Sequence, residues 1–158
     1  MKLKAALLVT SDRVSRGEAE DESGEAAREL LAPVAEVVEK RVVPDEAEAI
    51  RRVLMEWSDA GLDVVLTIGG TGLSPRDVTA EVTRSVIEKE AGGIRTALLV
   101  RGLQSTPRAM LSGATAGVRG RTLIVNLPGS RSAVREYVEL LVEVLPHAAE
   151  MMRGETHE

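Results

Sequence analysis

The segment Thr67 to Thr79, reading TIGGTGLSPRDVT, gathers more chemistry than any other stretch of this 158-residue chain. Glycines directly after an apolar run let backbone N–H groups come close to an anionic oxygen, and the positive end of a following helix adds to the attraction. Taken alone, Gly69-Gly70-Thr71-Gly72 reads as a tight turn as readily as an anion site. Asp77 tips the balance. It lies two residues before Thr79, the apparent cap of the next helix, so capping does not require it. Its ordinary alternative is a surface ion pair with the adjacent Arg76, a weakly stabilising arrangement.

Further aspartates follow other apolar runs. Asp12 comes after Leu3 to Thr10 with Ser11 beside it, and Asp45 comes after Glu36 to Val43 and Pro44. Asp45 has a structural reading, because Asp45-Glu46-Ala47-Glu48 has the form of a capping box. Asp12 could cap a helix or close a turn. Another run, Thr122 to Asn126, leads into Leu127-Pro128-Gly129-Ser130. In open parallel sheets, ligands bind outside the carboxyl ends of the strands. Parallel pairing of these runs would therefore bring all of these residues to one edge.

Several carboxylates in one crevice repel one another unless a hard cation neutralises them. Mg2+ commonly takes one or two carboxylates together with phosphate oxygens and water, so a triphosphate arriving with its metal fits the pattern. The chain lacks GxxxxGK(S/T) and GxGxxG, which sets aside a P-loop and argues against the common dinucleotide-binding fold. It has no cysteine, hence no disulfide, thiolate metal site or thiol nucleophile. Its histidines are His147 and His157, the second in a polar tail, so carboxylates and hydroxyls must carry any reaction. A net charge of −5, no block of basic residues, and only Trp57 and Tyr137 as aromatics argue against a nucleic-acid partner. The N-terminal apolar run stops at Thr10-Ser11-Asp12, too short for a secretory signal or a bilayer span. A cytoplasmic protein without membrane attachment is expected.

The elements that must position these residues follow from periodicity and punctuation. Leu3 to Thr10 fits a buried strand. Ser23 can cap a helix with Ala26, Ala27, Leu30 and Leu31 on its inner face, ended by Pro33. Glu36 to Val43 reads as a second strand, and Ile50, Val53, Leu54 and Trp57 recur at helical spacing before Gly61. Leu62 to Ile68 is a third strand, and Thr79 caps a helix reaching about Glu90. Ile94 to Leu103 reads as a surface helix, and Ala114 to Val118 with Thr122 to Asn126 as two strands around Arg119-Gly120. A last helix turns Val134, Tyr137, Val138, Leu141 and Leu145 inward. Strands alternating with helices predict a mainly parallel sheet covered on both faces, an α/β chain folded as a three-layer α/β/α sandwich. One domain over residues 1–152 is expected, with 153–158 as a polar C-terminal tail.

These motifs, in this order, resemble the molybdopterin adenylyltransferases of the MogA and MoaB type. Ser11-Asp12-Arg13, Asp21-Glu22-Ser23-Gly24, Val43-Pro44-Asp45-Glu46, Gly69 to Thr79 and Thr106 to Ser130 carry the resemblance across nearly the whole chain. It implies a mostly parallel five-stranded mixed sheet with one antiparallel strand, and a homotrimer or hexamer. It also implies a step of molybdenum cofactor biosynthesis in which molybdopterin and ATP, with Mg2+, give adenylyl-molybdopterin and pyrophosphate. On that resemblance Asp45 and Asp77 are the catalytic and metal-handling residues. Ser11, Asp12, Ser23, Gly24, Gly69, Gly70, Thr71, Gly72, Ser112, Asn126, Pro128, Gly129 and Ser130 bind the substrates. A molybdenum-insertion protein is the expected further partner. The alternative in the same family is a non-catalytic molybdopterin-binding or scaffold protein, against which both aspartates speak. The chain departs from the family pattern where Ala80 replaces a proline, where Gly113 replaces an arginine after the serine, and at Arg131, where proline is common. Gly113 leaves one anion contact in doubt. Arg131 either restores positive charge at the phosphate site or faces water.

Overall fold

The computed structural model describes residues 2–155. Its elements are β1 (Leu3–Thr10), α1 (Asp12–Ser15), α2 (Glu22–Leu31), β2 (Ala35–Val43), α3 (Ala47–Asp59), β3 (Val64–Ile68), α4 (Thr79–Val86), β4 (Lys89–Glu90), α5 (Gly92–Ser105), β5 (Ala116–Arg119), β6 (Thr122–Leu127), α6 (Arg131–Leu141) and α7 (Leu145–Met152). The strands lie in the order β2-β1-β3-β6-β5-β4. The first four pair in parallel, and β5 runs antiparallel between β6 and β4.

Period-two alternation along the strands sets the layers. Leu3, Ala5, Leu7 and Val9 of β1 join Val64, Leu66 and Ile68 of β3 and Leu123, Val125 and Leu127 of β6 in one core with α2, α6 and α7. Ala6, Leu8, Val65 and Ile124 face the other way, onto Ile50, Val53, Leu54 and Trp57 of α3 and Val82 and Val86 of α4. Leu7, Leu8, Ile50, Leu54, Leu66 and Ile124 are fully buried, and each such side chain contributes about 1.5–3 kcal/mol by leaving water. The three-layer α/β/α sandwich expected from the sequence is the architecture observed.

The sheet has six strands rather than five, because two-residue β4 pairs with β5. Gly117 makes the space for it. A Cβ there would come within 2.5 Å of Ile87 Cδ1 and 2.7 Å of the Lys89 carbonyl oxygen. For the same reason α4 stops at Val86 instead of reaching Glu90. The last expected helix is two, α6 and α7.

The expected helix caps also move. Asp21, not Ser23, caps α2, its Oδ1 accepting the Gly24 N–H at 2.8 Å. The cap of α3 is Glu46, one residue after Asp45, and no side chain bonds there. Val78 holds the cap position of α4, while the Thr79 hydroxyl is buried against that of Thr10 at 2.9 Å. In each case a tertiary contact takes the polar group that local sequence assigned to the cap.

Candidate functional site

Parallel pairing of β1, β2, β3 and β6 brings their carboxyl ends to one edge, as the sequence predicts. Main-chain bonds stitch the departing loops together there. The Ser11 N–H donates to the Val43 carbonyl at 3.0 Å, and the Gly69 N–H donates to that of Leu127 at 2.9 Å.

Asp12 and Asp45 clamp each other. The Asp12 N–H donates to Asp45 Oδ2 at 3.1 Å, and the Asp45 N–H returns to Asp12 Oδ1 at 3.0 Å. Arg76 reaches Asp12, not Asp77, through Nε at 3.1 Å and Nη2 at 2.8 Å. Hydrogen bonding to Arg76 is the main cause holding the Asp12 carboxyl below the usual aspartate range. Asp45 moves the opposite way. Burial pushes it up, the Asp12 N–H opposes that rise, and the negative charges of Asp12 and Asp77 add to it. Asp77 Oδ2 accepts the Ser74 N–H at 3.0 Å, closing the loop that carries it.

Among the described residues, no three carboxylate or histidine side chains form a group able to enclose a metal. The donor set fits a hard cation brought by its own phosphates, since Mg2+ needs only one or two protein carboxylates when phosphate oxygens and water supply the rest. A cation at Asp45 would also relieve the electrostatic pressure from Asp12 and Asp77 on that half-buried group.

The glycine loop is shaped by positive φ. Gly69 has φ 104° and Gly70 φ 70°, conformations that glycine adopts without steric cost. A Cβ on Gly69 would sit 2.4 Å from the Thr10 carbonyl oxygen, and one on Gly70 would sit 2.1 Å from Thr79 Oγ1. Among the described residues, the N–H groups of Gly70, Thr71 and Gly72 meet no protein acceptor. Unpaired main-chain N–H groups gathered in a glycine loop are of the kind that can take an anionic oxygen.

Two pockets are connected to this loop. One, of 330 Å³, is lined by Ser11, Ser23, Gly69, Gly129 and Arg131 among others. There the Ser23 hydroxyl donates to the Gly129 carbonyl at 2.7 Å, and Arg131 contributes to the wall. The other, of 350 Å³, holds Ser112 with Arg84, Arg95, Asn126 and Tyr137. The Gly113 N–H donates to the Thr71 carbonyl at 2.7 Å, tying the Ser112 segment to the glycine loop.

The remaining sequence-selected residues take structural contacts. Ser11 Oγ caps α1 and Ser130 Oγ caps α6, while Gly24 lies buried in the first turn of α2. Pro128 is half buried between β6 and α6, and exposed Gly72 lies against Asp77. Asn126 is fully buried. Its Nδ2 donates to the hydroxyls of Thr67 and Thr83, and its Oδ1 accepts the Thr115 N–H. Sequence reasoning passed over Arg84 and Arg95, and placed Tyr137 only in the core, whereas all three line this pocket. Arg84 sits on α4 and donates to the Gly113 carbonyl at 3.1 Å, so positive charge reaches the Gly113 position from another element. No local motif announces it.

The family model described as "Probable molybdopterin binding domain" matches residues 6–147. Gephyrin of Dictyostelium discoideum is 39% identical over 156 residues, covering 90% of this chain but 21% of its own length. The chain thus spans a minor part of that relative. The molybdopterin adenylyltransferase of Helicobacter pylori strain J99 is 36% identical over 154 residues, covering 94% of this chain and 86% of its own. The crystal structure of the molybdopterin biosynthesis enzyme MoaB from Thermus thermophilus superposes with a TM-score of 0.90 at 46% identity, covering 99% of both chains. No helix among the described residues is long and apolar enough to cross a membrane. With its motifs gathered at one sheet edge and its likeness extending end to end, the chain belongs to the molybdopterin-binding domain family of molybdenum cofactor biosynthesis.

Proposed function

We propose that this chain is a molybdopterin adenylyltransferase, which joins AMP from ATP to the terminal phosphate of molybdopterin and releases pyrophosphate. The observation that carries the reading is a pair of pockets joined through one glycine loop, Gly69 lining one and Thr71 holding Gly113 of the other, with Asp45 half buried at the same sheet edge. Two ligands must meet for such a transfer, and the loop touches both pockets, one directly and one through Gly113. A phosphate monoester is already a competent nucleophile near neutral pH, so no histidine base is needed. Its oxygen attacks the α-phosphorus, and the bond from that phosphorus to the bridging oxygen breaks, leaving its electron pair on pyrophosphate.

The chain's part is positioning and charge stabilisation. The free N–H groups of Gly70, Thr71 and Gly72 hold phosphate oxygens in place. Arg84 and Arg95 offer positive charge to the anionic pterin in the larger pocket. Asp45 and Asp77 are the residues that would hold a Mg2+ arriving with ATP, and that ion would supply charge neutralisation for the pyrophosphate leaving group. Incubation with molybdopterin, ATP and MgCl2 is expected to give adenylylated pterin by mass spectrometry, and excess chelator is expected to stop its formation. Molybdopterin recovered bound but unmodified would identify a binding or scaffold protein instead, and undiminished turnover in chelator would remove the metal.

We also propose a homotrimer. Leu99, Val100 and Leu103 of α5 are exposed, as are Met110 and Leu111 in the 3-10 turn that follows. Apolar groups gathered this way mark protein contact surfaces. Light scattering at micromolar protein is expected to return three chain masses, and a monomer would refute the assembly.

A further inference from the structure

The larger pocket contains a polar group that the fold itself does not use. Tyr137 of α6 is 5% exposed and lines the 350 Å³ pocket. Among the described residues its hydroxyl has no hydrogen-bond partner. Tyrosine hydroxyls in such a setting ordinarily find one; since no fully buried side-chain polar atom among the described residues lacks a partner, the oxygen is reached from the pocket. Burial, with a smaller contribution from Glu136, holds the phenol above its ordinary pKa, so it stays a protonated donor at neutral pH.

The position of this hydroxyl is fixed by its neighbour on α5. A Cβ at Gly102 would lie 2.2 Å from Tyr137 Oη and 2.9 Å from Ala109 Cβ. Only glycine leaves the notch in which the phenol end rests. The other polar side chains offered to the pocket are the guanidiniums of Arg84 and Arg95 and the hydroxyls of Thr96, Ser112 and Thr115, while the Asn126 amide in its wall is spent on Thr67, Thr83 and Thr115. Among the described residues no carboxylate lines it, and Leu98 and Leu99 supply apolar wall. Donors beside an apolar wall suit a flat heterocycle with acceptor atoms and an attached anion.

We propose that Tyr137 is a specificity-determining residue whose hydroxyl, held in the Gly102 notch, donates a hydrogen bond to an acceptor atom of a pterin-class anion in this pocket. The assignment rests on the functional reading above and adds to it the residue that selects the pterin ligand.

The test uses pterin-6-carboxylate, a fluorescent anionic pterin, with the full chain and its Tyr137→Phe variant. Wild type is expected to bind the probe, and Tyr137→Phe is expected to bind it on the order of tenfold more weakly, the loss of one hydrogen bond. Thermal stability separates a ligand contact from a structural one. Phenylalanine keeps the packing, so the melting temperature should be unchanged or slightly raised. AMP affinity should also be unchanged. Equal probe affinity in the variant would overturn the proposal, and so would a lowered melting temperature, which would reveal an internal role for the hydroxyl. Absence of probe binding to wild type would overturn the ligand class. Probe binding that depends on Tyr137 in a chain that transfers no adenylyl group would sink the enzymatic reading and leave this inference standing.

Discussion

Replacing Asp45 with asparagine is expected to cut adenylyl transfer by roughly 100-fold or more, the usual cost of removing one preorganised electrostatic contribution, while leaving the melting temperature near that of wild type. The side chain does not cap α3, since the cap position falls on Glu46. What Asp45 contributes to the fold is an acceptor for the Asp12 N–H, and the asparagine amide oxygen can serve there equally well. Asparagine cannot supply the charge. That charge is held against burial and against the carboxylates of Asp12 and Asp77, so folding gains nothing from keeping it. A group whose folded pKa is raised loses stability as pH rises through that value, and neutralising it should cost the fold nothing. The acid limb of kcat/KM, which reports the free enzyme before the cation arrives, should therefore lie at a higher pH than an ordinary aspartate would set. That limb should disappear in Asp45→Asn. Turnover within a few-fold of wild type would move the chemistry away from this carboxylate.

Gly69→Ala is expected to be strongly destabilising. At φ 104° a side chain is already strained, and the new carbon would lie 2.4 Å from a backbone carbonyl oxygen of β1. That oxygen belongs to a central strand and cannot swing aside as a flexible side chain would. Backbone strain and overpacking together put the loss at about 2–5 kcal/mol, read from the midpoint of urea denaturation. Adenylyl transfer should fail as well, since the loop must move off the strand end. Gly113→Ala is the control, because its added carbon would meet only the Thr71 carbonyl oxygen, in ordinary contact at 3.6 Å. If both variants unfold at the same urea concentration as wild type, the glycine loop is not held as described.

What the sequence makes legible here is decided by how local the cause is. The strands and the edge at which they end follow from apolar runs broken by glycine, proline and aspartate. Asp12, Asp45 and the glycine loop could be placed together before any coordinates. The caps could not, because the polar groups of Ser23, Asp45 and Thr79 are each drawn to a partner from a distant element. β4 escaped notice because two residues carry no period, and its existence depends on the missing side chain of Gly117. Arg84, Arg95 and Tyr137 occupy helices whose patterns report only which face is buried. Their meeting around one pocket is a product of packing, and short-range spacing holds no trace of it.

The bonds from Ser11 to Val43 and from Gly69 to Leu127 join loops through main-chain atoms alone. Ordering those loops is therefore completed when the sheet assembles, before any ligand arrives. A ligand that finds its cradle already formed loses little affinity to freezing mobile chain. The same arrangement makes the site tolerant of drift, because a peptide group offers the same N–H and C=O whichever side chain it carries. Two proteins could share this edge and its affinity for phosphate while differing at most of the positions around it.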